Sequence, residues 1–373
     1  MTEIFLTIFF ITVLLLFLGS GIWVAISMIG VSSIGMMLFT TRPVGDAMAT
    51  TIWGASSSWT LTALPLFVWM GEILFRTKLS ENLFEGLSPW MQKLPGGLVH
   101  VNVVGCALFA AISGSSAATV ATVGKMSIPE LRKRKYPESI LLGSLAGSGT
   151  LGLLIPPSII LIIYGVTVQE SIAKLFIAGV LPGIMIALIF MTYVIIWSSI
   201  NKKLMPVSKQ SFSFIEKFRK SGKLIPVILL ILSVIGSIYT GVATATEAAS
   251  LGVVGALILS YFQKSLTLKT FKASLLGATK TSCMIAFILA GATFLSLAMG
   301  FTGLPRNLAI WIESMDLSPY VLIFVLMIFY IILGMFLDGI SAVVLTMAII
   351  EPMIRQAGFD MIWFGIFLVI VVE

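Results

Sequence analysis

Apolar residues run along this chain in long unbroken stretches, and the polar positions between them are few and clustered. Stretches such as "EIFLTIFFITVLLLFLG" at 3–19 and "LIPVILLILSVIGSIYTG" at 224–241 do not alternate apolar with polar. Continuous runs close to the roughly 20 residues a helix needs to cross a bilayer predict spanning helices, and alternation would have been the mark of a barrel. Helices are predicted at 4–18, 22–39, 60–76, 98–126, 138–167, 172–200, 223–241, 245–262, 281–300, 318–354 and from 358 onward. Those at 98–126, 138–167 and 318–354 are interrupted by glycine, serine or proline. Two segments, "LSENLFEGLSPWMQKL" at 79–94 and "KSLTLKTFKASLLGATK" at 264–280, mix apolar with charged residues and are expected to lie along the membrane surface.

Composition sharpens this to an all-α integral membrane protein in contact with the lipid bilayer. Of 373 residues 58% are hydrophobic and 10% charged, with a mean hydropathy of +1.09, more apolar surface than one water-soluble core hides. The first run carries Glu3 where a signal peptide has basic residues and is too long for a signal core, so it reads as the first spanning helix. The net charge of +7 would suggest nucleic acid in a soluble protein. Here the basic residues sit between spans and act as orientation signals, so no nucleic-acid partner is expected. Cys106 and Cys283 fall in apolar segments without a metal-binding spacing and read as small buried hydrophobes. His100 stands alone, which argues against a metal or catalytic role. No HExxH, Walker A or GxSxG motif is present, so enzyme activity is not expected.

The chain repeats itself. "PLFVWMGEILF" (65–75) is echoed by "AFILAGATFLSLAMG" (286–300), and "ISGSSA" (112–117) by "LDGISA" (337–342). "IPELRKRKYPESILLG" (128–143) has its counterpart in "EPMIRQAGFDMIWFG" (351–365). The spacing is about 220 to 225 residues with weak identity, the usual grade of an internal transporter repeat. This divides the chain into a first repeat at 1–200, a basic cytoplasmic loop at 201–222 and a second repeat at 223–373. If each interrupted segment at 98–126 and 318–354 is a re-entrant hairpin, entering from opposite faces, charge separates cleanly. Arg76, Lys78, Lys93, Lys125, Arg132, Lys133, Arg134, Lys135, the basic residues of 201–223 and Lys264, Lys269, Lys272 and Lys280 then lie inside. Arg42, Lys174, Arg306 and Arg355 lie outside. That is the positive-inside pattern, and it favours an inverted repeat.

The chemistry is expected at the interruptions. "AAISGSSAATVATVGK" (110–125) breaks its helix with small and hydroxyl residues, so Ser113, Ser115, Ser116 and Thr119 add side-chain oxygens beside freed backbone groups. Oxygens of this kind suit a hard monovalent cation such as sodium, and helix N-termini at the same break suit a carboxylate. The competing reading is that small residues only allow helices to approach closely. In "LAGSGTLGLLIPPSIILIIYG" (145–165), Pro156 and Pro157 prevent a regular helix, and Gly147, Gly149 and Gly152 loosen the turn before them, so this helix should be discontinuous with Thr150 at its break. Glu72, Glu247 and Asp338 are ionisable residues inside apolar segments. Asp338, in "GMFLDGISA", is a candidate for an ion site, whereas Glu247 three residues after Thr244 is explained by a capping box.

At "CALFAAISGSSAATVATVGK", "GTLGLLIPPSIILIIYG", "TATEAASLGVVGAL" and "LGMFLDGI" the sequence resembles the large membrane subunit of tripartite ATP-independent periplasmic (TRAP) transporters, from the first helix to the last residue. The resemblance implies a permease of the bacterial inner membrane that imports an organic acid with sodium by an elevator motion. It implies a small membrane subunit and a periplasmic substrate-binding protein as partners. By motif position it implies a first ion site at Ser113, Gly114, Ser115, Ser116, Gly149 and Thr150, and a second at Asp338, Gly339 and Ser341. The substrate would meet Ser116, Thr119, Pro156 and Ser341. Two features depart from the family pattern. "TATEAA" replaces its T-P-T-E-A-A, and the double-proline segment expected after Glu373 is absent from this sequence. A single-component sodium and divalent-anion symporter, or an inactive truncated scaffold, are the alternatives.

Overall fold

The structure is a computed structural model and describes residues 3–77, 79–206, 212–303, 307, 318–335 and 337–373. Lys78 and Arg306, counted above for orientation, lie outside the described residues, as do 207–211 of the basic loop and Phe336 of the second interrupted segment. Among the described residues all regular structure is helical. Four helices among the described residues are long and apolar enough to cross a bilayer by length and composition, or up to seven if each bent pair counts as one span.

Most predicted elements are found within a few residues, and the exceptions have physical causes. Val44–Ser56 is a helix that the sequence reading omitted, because "VGDAMATTIWGAS" has no apolar run. It is held by one narrow stripe: Val44, Ala47 and Met48 pack on Met36, Phe294 and Ala298. The segment 264–280 is not a separate surface helix. Leu268–Thr302 is one continuous helix of 35 residues, since nothing in 268–281 breaks the turn and good helix formers carry it through the charged stretch. Cys106 is buried as expected, but Cys283 is exposed. It shares the outer face of its helix with Met284 and Phe287, both exposed. In a membrane protein an apolar neighbourhood marks a lipid face as readily as a core. The capping box is present: Glu247 N–H donates to Thr244 Oγ1 at 3.3 Å and Thr244 N–H to Glu247 Oε2 at 2.8 Å.

Contacts divide the chain into two units, Met1–Thr62 with Ile162–Ile172 and Thr281–Glu373, and Ala63–Leu161 with Ala173–Lys280. The second of these is built around a helical hairpin of Val99–Ser113 and Ser116–Lys133. Gly105 faces Val123 across it, nine residues on either side of Gly114. In lipid, helices gain little from hiding apolar surface from each other, so association relies on close packing through small residues. Gly71 of Ala63–Phe75 meets the end of the first arm so tightly that a Cβ there would lie 3.1 Å from the Ile112 carbonyl oxygen. Glu72 pairs with Arg76 at 2.7 Å, and Arg76 also donates to the Ala273 carbonyl at 3.1 Å. The intramembrane carboxylate thus has its countercharge one turn away. His100 is buried and bonded through Nε2 to the Pro95 carbonyl oxygen at 2.8 Å, closing the turn into the first arm. Asn102 Nδ2 ties that arm to Glu138–Gly149 through the Leu141 carbonyl at 3.2 Å and Ser144 Oγ at 3.0 Å.

The other unit holds a second hairpin, Pro319–Gly334 and Gly339–Gln356. Its arms are joined by the Tyr330 and Thr346 hydroxyls at 2.7 Å, eight residues on either side of Asp338. Met361–Val372 packs against the first arm where Gly334 meets the Val372 backbone. Tyr164 Oη donates to the Met361 carbonyl at 2.6 Å, and Gly365 leaves room for its ring.

Candidate functional site

The first hairpin turns at Gly114, whose left-handed backbone (φ 58°) lets the chain reverse between the arms. Ser115 then caps the second arm, with Ala118 N–H reaching its Oγ at 3.5 Å. Three oxygens converge behind this turn. Ser113 Oγ and Thr119 Oγ1 are 2.8 Å apart, Thr119 Oγ1 is 2.8 Å from the Ser115 carbonyl oxygen, and Ser113 Oγ is 3.3 Å from the same oxygen. Ser113 and Thr119 are buried, so their hydroxyls satisfy one another. Around a cation of calcium-like radius, which sodium has, bond lengths of roughly 2.3–2.6 Å place neighbouring oxygens about 3.3–3.7 Å apart. Two edges of the triangle, now 2.8 Å, would need to open by about 0.5–0.9 Å to become one face of such a shell.

The broken helix supplies the facing wall. Glu138–Gly149 continues through Leu151–Leu154, loses its helical path at Ile155, Pro156, Pro157 and Ser158, and resumes at Ile159–Thr167, with a bend of 40°. A Cβ on Gly152 would lie 2.7 Å from the Ser115 carbonyl oxygen and 2.8 Å from Thr119 Oγ1. At the turn, a Cβ on Gly114 would lie 2.8 Å from the Pro157 carbonyl oxygen, and Ile159 N–H donates to the Gly114 carbonyl at 3.4 Å. The hairpin tip and the break of the helix are therefore seated on each other.

Of the residues named from sequence for the first site, the structure brings Ser113, Gly114 and Ser115 to the break. Thr119, named above among the hydroxyls of the break and by resemblance for substrate, belongs to the same oxygen triangle. Ser116 is half-buried at the start of the second arm, and its hydroxyl makes no hydrogen bond among the described residues. Gly149 faces the Val120 side chain and has the Ser116 carbonyl 3.8 Å from a Cβ position. Thr150 turns its hydroxyl back to the Gly147 carbonyl at 2.8 Å. Pro156 is buried in the break. Gly152 is the contact that sequence reasoning missed. It had appeared only as a loosening residue, although it sits three residues after Gly149 and so on a neighbouring face of the helix.

At the second hairpin, Asp338 is the N-cap of Gly339–Gln356. Its Oδ2 accepts from Ser341 N–H at 3.2 Å and its Oδ1 from the Ser341 hydroxyl at 2.6 Å. Gly339 and Ser341 are buried beside it. The two hairpins share one register. Ser115 and Asp338 are both caps, Pro129 and Pro352 both lie inside second arms, and Pro137 and Asp360 both precede the next helix. The offsets 338 minus 115, 352 minus 129 and 360 minus 137 all equal 223.

A family model described as "Tripartite ATP-independent periplasmic transporter, DctM component" matches residues 10–373. The chain belongs to this family. It is 32% identical over 339 residues to the C4-dicarboxylate TRAP transporter large permease protein DctM of Pseudomonas aeruginosa, covering 91% of this chain and 78% of that protein. It is 30% identical over 352 residues to the sialic acid TRAP transporter large permease protein SiaM of Vibrio cholerae, covering 94% and 81%. It is 29% identical over 360 residues to the isethionate TRAP transporter permease protein DctMQ of Oleidesulfovibrio alaskensis, covering 95% of this chain and 56% of that protein. The chain is thus a large permease of the TRAP type and a multi-pass membrane protein, and the two tips are where its helices part from regular geometry beside hydroxyl and carboxylate oxygens.

Proposed function

We propose that this chain is the transporting subunit of a sodium-coupled importer for a small organic anion in a bacterial inner membrane. The supporting observation is the pair of capped hairpin tips at one 223-residue offset, one with a triangle of neutral oxygens and the other with a carboxylate. Each tip joins oxygen ligands suited to sodium with the N-terminus of a long helix, whose partial positive charge suits an anion. The relatives are named for C4-dicarboxylates, sialic acid and isethionate, all anionic acids. The repeats are inverted, the hairpins are re-entrant, and hairpins with broken helices move together in an elevator cycle. The partners are a periplasmic binding protein that delivers the acid and a small membrane subunit, in line with the name DctMQ of the relative.

Proteoliposomes containing the permease and its small subunit, supplied with binding protein and a labelled carboxylate, test this. Uptake is expected to need an inward sodium gradient and the binding protein, and to proceed without ATP. Equal uptake from a potassium gradient would remove the sodium assignment, and uptake without the binding protein would favour a single-component symporter. A more local prediction concerns the first tip. Replacing Ser113 with alanine and Thr119 with valine nearly keeps side-chain size but removes the two hydroxyls of the triangle, so the sodium concentration for half-maximal uptake should rise about tenfold or more, on hydrogen-bond magnitudes. If small residues there serve packing alone, the double variant transports with unchanged sodium dependence.

A further inference from the structure

Phe214–Ser221, in the basic connection, is a short helix that exposes rings and cations together. It is pinned at its start by a capping box: Glu216 N–H donates to Ser213 Oγ at 3.3 Å, and Ser213 N–H to Glu216 Oε2 at 2.8 Å. Glu216 is therefore engaged with backbone and is not the counterion of its neighbours. The helix is seated on Leu79–Met91. Trp90 Nε1 donates to Ser221 Oγ at 2.7 Å, and Ser221 Oγ donates on to the Gly86 carbonyl at 3.2 Å. The Trp90 ring meets Phe214 and Phe218 edge-on, with centroids 6.3 and 5.7 Å apart. Lys217 Nζ stands 5.1 Å from the Trp90 centroid. Lys223 is paired with Glu85.

The outer side of this assembly is unpartnered. Phe214 is 69% exposed, Ile215 80% and Phe218 58%. At about 100° per residue these three share one sector of the helix, with Arg219 on one flank and Lys217 and Lys220 on the other. An apolar stripe flanked by cations is the arrangement that sinks to the headgroup level of a bilayer while long basic side chains reach the phosphates. The helix also turns 58° away from Ile225–Tyr239, the apolar helix that follows, so it does not continue the line of that span. Orientation signalling accounts for basic residues in a connection, but not for a capped helix that aligns them beside exposed rings.

We propose that this surface binds anionic phospholipid headgroups, with Lys217, Arg219 and Lys220 on the phosphate and Phe214, Ile215 and Phe218 at the glycerol and upper acyl level. Bound lipid would hold Leu79–Met91 at the membrane surface through Trp90. The choice of an anionic lipid follows from charge, since three cations are offered. Lys217 and Lys220 rest on rings (Lys220 Nζ is 4.2 Å from the Phe212 centroid) with no carboxylate partner among the described residues, while Glu216 and Glu85 on the contacting elements are already engaged.

The test is native mass spectrometry of the purified chain in detergent, titrated with phosphatidylglycerol or with phosphatidylcholine. The native chain is expected to retain phosphatidylglycerol in preference, less so as salt rises. The triple variant K217Q/R219Q/K220Q should lose that preference by about fivefold for each charge, on the order of a hundredfold in all. The variant K217R/K220R, which keeps the charge, should retain it. F214S/F218S should weaken retention of both lipids alike. All these side chains lie at the surface, and unchanged melting in phosphatidylcholine would show that the variants are folded. No preference in the native chain, or an undiminished preference in the triple variant, overturns the proposal.

Discussion

Replacing Gly152 with alanine is expected to cut uptake by more than tenfold, while replacing Gly143 with alanine on the same broken helix changes little. The added methyl at 152 would lie 2.7 Å from the Ser115 carbonyl oxygen and 2.8 Å from Thr119 Oγ1, whereas nothing lies within 4 Å of a Cβ at 143. Backbone cannot swing aside as a flexible side chain can, so the hairpin tip must move off the helix. Overpacking of this kind costs about 1–3 kcal/mol. It also spreads the Ser113, Ser115 and Thr119 oxygens. The check is uptake against sodium concentration for the two variants at matched membrane expression. Equal behaviour would mean that the seat of the tip on the break has no part in transport.

The second large effect is expected at Asp338, where two substitutions separate two roles. As an N-cap the side chain needs only an oxygen that accepts from Ser341 N–H, and asparagine does this about as well as aspartate. Asp338→Asn should therefore preserve thermal stability while losing the negative charge. If the carboxylate also balances a cation, the sodium requirement of this variant should rise about tenfold or more, since bonds to charged groups are worth roughly 1.5–3 kcal/mol. Asp338→Ala should show the same transport defect and lose about 1 kcal/mol of stability with the cap. Melting curves in detergent and uptake in liposomes give the two readouts. Native sodium dependence in Asp338→Asn would leave this residue with capping alone.

Much of the site's position was legible from local chemistry. Paired prolines at 156 and 157 forbid regular helix whatever surrounds them, and the break falls there. Gly114 followed by Ser115 gives a left-handed residue and then a cap, and the hairpin turns there. The contacts of Thr119 and Gly152 were not legible because they depend on another segment. Thr119 is one helical turn from Ser115, but that its hydroxyl would face Ser113 follows only once the arms fold back on each other. Gly152 reads as a weak point in a helix until the hairpin tip is set against it.

The same division runs through the whole protein. Sequence by itself determined that the chain is helical and membrane-spanning, that its helices break near 114, 156 and 338, and that Thr244 with Glu247 forms a cap, because each depends on neighbours within a few residues or on the solvent a run of apolar residues requires. Tertiary structure alone decided that Val44–Ser56 is a helix and that Cys283 faces outward. It also decided which of several equivalent hydroxyls meet at the first tip, with Ser113 and Thr119 turned to each other and Thr150 turned back on its own helix. The reason is that in lipid an apolar side chain is at home on either face, so hydropathy does not say what packs against what. That choice falls to close contacts between small residues and to polar groups that must find partners away from water.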